Sequence, residues 1–278
     1  MLQTGLWKYL APTSMGAGYA IAKGLLLRGL IPEEGYVTDF TMQFLAGVLI
    51  GFSLRPVARV VYWKKTLGFV MIFLMISIFG APGMALIAMV EGRFMDAAYW
   101  MGWVAETATG VFVAALAMIL LPPPRDNLSI VWMLRRLGAE VNSWLLARLA
   151  VCGGAMILLY FGLQALLDEG MGPAGFTQRI QDLLTLPPLT IQTKILLVGL
   201  HGVLTASLIW MLCMLYIRGF VEQLVVLGSL VFVLGVFAPA FANFQQINPI
   251  LLVDHVFIGL CRSFLLVALA IWLFRRRV

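Results

Sequence analysis

Charge is what this chain has least of. Asp, Glu, Lys and Arg make up 12 % of its 278 residues, against about 25 % in a soluble globular domain. Hydrophobic residues account for 62 %, and the mean hydropathy is +0.98. A soluble fold of this length has no interior large enough to hide so much apolar side chain, so lipid must be the solvent for most of it. Alternation of apolar and polar residues is missing too, which excludes a transmembrane β-barrel. Helices remain as the other way to satisfy a backbone inside hydrocarbon.

Cysteine comes to three residues, Cys152, Cys213 and Cys261, each inside an apolar stretch and none in CxxC spacing. Buried thiols of this kind act as small apolar fillers, so neither a disulfide framework nor a metal site is indicated. No P-loop, GxSxG, HExxH or CxxCH motif is present, nor a pair of acids on a soluble face. No enzyme and no cofactor are therefore expected. The two histidines, His201 and His255, are a poor basis for bis-histidine haem. A soluble basic face interleaved with stacking aromatics is also lacking, so the net charge of +6 does not point to nucleic acid. The start, Met1-Leu-Gln-Thr-Gly-Leu-Trp-Lys, lacks the short apolar core and cleavage site of a signal peptide. Insertion through the chain's own helices is the expectation.

What is present is a series of long apolar runs. Eight spans are expected, near 11–31, 39–61, 67–90, 97–121, 145–167, 192–217, 221–244 and 249–274, each about the 20 residues a bilayer requires. Thr66 to Val90 and Gln223 to Val253 contain no charge at all. The first span is the least apolar. Lys23 and Arg28 lie inside it, so a helix in the membrane interface with both cations snorkelling outward is the alternative there.

The basic residues set an orientation, because they accumulate in cytoplasmic connections. Arg55, Arg59, Lys64 and Lys65 crowd the second connection; Arg125, Arg135, Arg136 and Arg148 flank the fourth; Arg218 marks the sixth; and Arg275, Arg276 and Arg277 close the chain. The alternate connections carry Glu33, Glu34, Asp39, Glu91, Asp96, Asp168, Glu169 and Asp182. This interleaving fits a multi-pass protein of the cell (inner) membrane with both termini in the cytoplasm.

The chain also says something twice. Ser77-Ile-Phe-Gly-Ala-Pro-Gly-Met-Ala-Leu is answered by Gly235-Val-Phe-Ala-Pro-Ala-Phe-Ala, and Val113-Ala-Ala-Leu-Ala-Met by Leu266-Val-Ala-Leu-Ala-Ile. The expected fold class is an all-α integral membrane protein of about eight transmembrane helices in two parallel four-helix repeats, related by an axis along the membrane normal. Residues 1–124 form the first half and 144–278 the second. Between them, 125–143 is an amphipathic cytoplasmic linker whose apolar residues recur at helical spacing across Leu128 to Asn142. A similar amphipathic stretch, Phe176 to Leu186, belongs on the outer side.

Candidate functional residues follow from cost. Pro82 and Pro239, at matching places in the two halves, each remove a helix hydrogen bond and clash with the preceding turn. Interrupted helices at equivalent positions are the sequence mark of a transporter's binding site, although Pro and Gly also serve plain packing in membrane helices. An ionisable residue near a span's centre costs about 2.5–3.5 kcal/mol on insertion scales. Glu106, followed by Thr107 and Thr109, and Arg262 are such residues, and aligning the repeats sets Arg262 opposite Thr109. A Glu106–Arg262 ion pair is the expectation, with Asp254 as an alternative partner for Arg262. His201 and His255 are candidates for the same pathway, against a reading as hydrogen-bonded packing residues. The amides Asn243, Gln245, Gln246 and Asn248 read as a wet outer loop. Pro82, Pro239, Glu106, Asp254, His255 and the amides share the outer half of the bilayer. Gly47-Val-Leu-Ile-Gly51 favours close helix packing, within the chain or against a partner.

Two function classes remain. One is a small secondary transporter or channel-like protein. The other is a non-catalytic membrane subunit of a larger envelope or respiratory complex. The expected partners are the lipid bilayer and either partner membrane subunits or a second copy of the chain.

Overall fold

The computed structural model describes residues 3–30, 40–61, 65–80, 97–121, 135, 138–139, 141–171, 191–215, 218–242 and 249–274. All the regular structure among them is helical: α1 (Gln3–Leu30), α2 (Phe40–Val61), α3 (Lys65–Phe79), α4 (Ala97–Leu120), α5 (Ser143–Met171), α6 (Ile191–Leu215), α7 (Phe220–Phe232), a π-helical turn (Val233–Phe237), α8 (Ala238–Ala242) and α9 (Pro249–Phe274). The run from α7 through α8 is one interrupted rod. Each expected span has a helix, and six are long and apolar enough to cross a membrane: Phe40–Ala58, Trp103–Leu120, Ser143–Leu163, Ile195–Leu215, Phe220–Phe241 and Val256–Phe274. The protein is thus a multi-pass helical membrane protein. The other two rods are α1 and α3. α1 carries Lys8, Lys23 and Arg28, and the described apolar part of α3 is Gly68–Phe79.

Lipid supplies no hydrophobic drive between helices, so close approach over small residues has to hold them. The tightest crossing, α1 on α2, is built that way. A Cβ added at Gly47 would stand 2.6 Å from the Tyr19 Cβ and 2.9 Å from the Gly16 Cα; one at Gly51 would stand 2.8 Å from the Pro12 Cα. The Gly47–Gly51 pair is therefore used inside the chain. A second crossing, α5 on α6, repeats the device. A Cβ on Gly202 would lie 3.2 Å from the Gly153 Cα, and one on Gly153 would lie 3.1 Å from the Gly199 carbonyl oxygen.

The packing falls into two sets. α1 packs on α2 and α4, α2 on α3 and α4, and α3 on α4; likewise α5 packs on α6 and α9, α6 on α9, and α7 on α9. The indole N–H of Trp7 donates to the Leu120 carbonyl at 2.8 Å, which caps an open end of α4 and brings the start of α1 and the end of α4 to one side. Between the sets, α2 lies along the seventh rod, α3 along α6 and the π turn, and α2 touches α6. The amphipathic stretch 176–186 and the amides of 243–248 fall outside the described residues, as does most of 128–142.

Candidate functional site

The first costly charge is neutralised in an unexpected direction. Glu106 Oε1 sits 2.8 Å from Lys23 Nζ, with the lysine 2 % and the glutamate 23 % exposed. Lys23 Nζ also donates to the Tyr19 hydroxyl at 3.5 Å and lies 5.8 Å from that ring's centre. Glu106 thus pairs with α1, and the expected Glu106–Arg262 pair is overturned. An ammonium one turn beyond Tyr19 on the tightly packed α1 is simply the nearer cation. The snorkelling alternative for Lys23 falls with it, since the side chain is buried between α1 and α4. Thr109 faces the same interface, but its hydroxyl donates back to the Ala105 carbonyl at 2.8 Å and has no proton left to offer.

The second feature is where α3 stops. Gly80 N–H still reaches the Ile76 carbonyl at 3.0 Å, completing the last helical turn. The Ile78 carbonyl would next be served by the amide four residues on. That residue is Pro82, which has none. His201 of α6 takes its place, with Nε2 2.8 Å from the Ile78 oxygen. A carbonyl only accepts, so Nε2 carries the proton and Nδ1 is left on the other side of the ring. Pro82 itself lies outside the described residues, yet the missing donor is a matter of its chemistry.

The seventh rod solves the same problem by widening. Ahead of Pro239 the Ala238 N–H bonds to the Val233 carbonyl, five residues back. A proline ring clashes with the carbonyl four residues earlier, here Gly235, and a π turn moves that carbonyl aside. The end of α3 and the π turn face each other. A Cβ on Gly235 would stand 2.6 Å from the Phe79 carbonyl oxygen, and one on Gly80 would stand 3.4 Å from that of Leu234. Glycine at 235 is required by backbone meeting backbone.

Beside this contact is a cavity of about 20 Å³, lined by His201, Thr205, Gly235, Arg262 and Ser263 with Phe79 and other apolar groups. That is room for about one water molecule. The Thr205 side chain is 1 % exposed and its hydroxyl has no partner among the described residues. Arg262 lies over the Tyr160 ring, Cζ 5.5 Å from its centre, and no carboxylate among the described residues pairs with it. A cation–π contact contributes up to about 2 kcal/mol when desolvated. The penalty for fully burying an ion is several kcal/mol; Arg262 is partly buried, and Tyr160 is what faces its charge among the described residues. Asp254 is two turns earlier on α9, roughly 12 Å along the axis. The side chains of Asp254 and His255 lie outside the described residues.

Of the expected site residues, His201 and Arg262 come together with the Pro239 interruption, while Glu106 and Thr109 belong to the α1–α4 interface. Lys23, Tyr19, Tyr160, Thr205 and Ser263 were not singled out as site residues. Thr205 had a readable signal, since it follows His201 by one helical turn and so shares its face. Tyr160 had none, because its contact is made across two helices. Cys152 and Cys213 are buried free thiols.

His201 gives a direct test. Replacing it with Phe should strand the Ile78 carbonyl and lower stability by about 1–3 kcal/mol, the cost of a buried unsatisfied group. Adding Pro82→Ala in that background restores a backbone donor, so the thermal midpoint in detergent should recover in part. If His201→Phe leaves the midpoint where it was, the histidine is not serving that carbonyl.

No protein-family model matches the chain, and neither a curated protein nor a solved structure is similar to it at a significant level.

Proposed function

We propose that this protein is a small membrane transporter or channel-like protein, non-enzymatic, with its path at the seam between two halves of four helices. One observation carries the reading: the end of α3, just before Pro82, meets the π turn of the seventh rod, and His201 and Arg262 line the cavity beside them. Broken helices that converge on ionisable groups inside the bilayer are how transporters hold substrate at the midplane.

The packing supports the repeat. In each half the first helix lies on the second and fourth, the second on the fourth and the third on the fourth. Between halves, the second helix of one meets the third of the other in both directions, while third meets third and second meets second. A two-fold axis along the membrane normal generates this set of contacts. Eight spans, cytoplasmic termini and a cell (inner) membrane location complete the reading, and they place Lys23, Glu106 and His201 in the outer half.

The rival is a non-catalytic subunit of a larger membrane complex. It draws on the small size of the cavity and on Glu106 being neutralised within the chain.

The test is full-length protein in sealed vesicles, with salt-driven flux followed by a potential-sensitive dye across a panel of simple salts. Flux should exceed that of empty vesicles, vanish in Arg262→Met and persist in Glu222→Gln, an exposed position at the start of α7. Silence with every salt, from protein that is isolated only within a stoichiometric complex, would favour the subunit.

A further inference from the structure

We infer that the cavity beside Arg262 binds a small monovalent anion, of halide size, and that this is the substrate class of the proposed path. The inference rests on the transport reading for its second half only, since binding can be measured without flux.

The two halves make the argument by contrast. In each, a cation lies against a tyrosine where the first and fourth helices pack: Lys23 on Tyr19, both of α1, and Arg262 of α9 on Tyr160 of α5. In the first half a carboxylate, Glu106, completes the set at 2.8 Å. In the second, no described carboxylate does, and a cavity stands beside the guanidinium instead. A charge drawn even partly out of water is held best when paired and hydrogen-bonded, and Arg262 is partly buried, so a negative charge is what the described lining leaves to be supplied.

The other lining residues fit that role. Thr205 offers a buried hydroxyl with no partner among the described residues, and Ser263, 4 % exposed, stands next to Arg262 on α9. Hydroxyl protons and a guanidinium are the donors an anion requires. No Asp or Glu lines the cavity, and Arg262 would repel a metal cation. The volume, about that of one water molecule, selects a bare small ion over sulfate, phosphate or a carboxylic acid. Phe79 and the contact of Gly235 with the end of α3 close one wall.

The experiment uses purified full-length protein in a neutral detergent, in gluconate buffer at constant ionic strength, titrated with sodium fluoride, chloride, nitrate or sulfate. The readout is the thermal midpoint. Fluoride or chloride should raise it in a saturable way, nitrate less and sulfate not at all. Thr205→Val should raise the half-saturating concentration several-fold, and Arg262→Met should abolish the shift. Should Arg262→Met fail to fold, Arg262→Lys keeps a charge and should weaken the shift without removing it. Equal response to all four salts, or none in folded wild-type protein, overturns the inference. Saturable halide binding without flux in vesicles leaves the anion site standing and removes the transport reading. Flux of some other solute without a halide shift does the reverse.

Discussion

Lys23→Met is expected to destabilise the protein in detergent by about 3–5 kcal/mol, the typical result of leaving one member of a buried ion pair alone. Glu106 would then be a lone carboxylate, 23 % exposed, with its ammonium removed. Glu106→Gln should be damaging for the mirror reason, since Lys23 is 2 % exposed and cannot move its charge to water. The double variant, Lys23→Met with Glu106→Gln, should recover most of the loss, because the net worth of such a pair over neutral groups of similar volume is small. A double-mutant cycle on the denaturation midpoint measures this coupling. Strictly additive single effects would mean the two groups do not share an interaction. The double variant also sorts brace from pathway. Our reading places the path at the seam, so a folded double variant should keep its flux.

Gly47→Leu is expected to disrupt the first half at least as severely. Its Cβ would meet the Tyr19 Cβ at 2.6 Å and the Gly16 Cα at 2.9 Å. Overpacking commonly costs about 1–3 kcal/mol when side chains can adjust. Here part of the obstacle is backbone, so the loss belongs at or above that range. The control is on α1 itself, because a Cβ at Gly24 meets nothing within 4 Å and Gly24→Leu should be tolerated. If the two variants melt alike, α1 and α2 do not cross at these glycines. If Gly47→Leu instead keeps its midpoint but loses a dimer on a sizing column, the stripe faces a second copy.

The difference between what was and was not readable is clearest in the charged residues. Glu106 and Arg262 stood out as intramembrane ions from the sequence, because depth along a span can be counted before any neighbour is known. Their partners did not. Lys23 lies 83 positions before Glu106 in the chain, and only the close α1–α2–α4 packing decides that it, and not Arg262, reaches the carboxylate. Glu106–Arg262 was the natural guess because the repeat alignment supplies equivalence between helices, and equivalence is not contact. Pro239 was readable as an interruption, since a missing amide is a local fact. That the chain answers it with a π turn, and meets the Ile78 carbonyl at the end of α3 with a histidine from another helix, is tertiary.

By itself the amino-acid order determined that this protein lives in lipid as apolar helices, which stretches they occupy, and where proline and charge make them expensive. These are properties of solvent and backbone, paid residue by residue. Which helices touch, which cation serves Glu106, and which carbonyl His201 caps were decided by the folded bundle alone. In hydrocarbon, helices of similar apolarity have little to tell them apart until glycine contacts and buried polar groups select their neighbours.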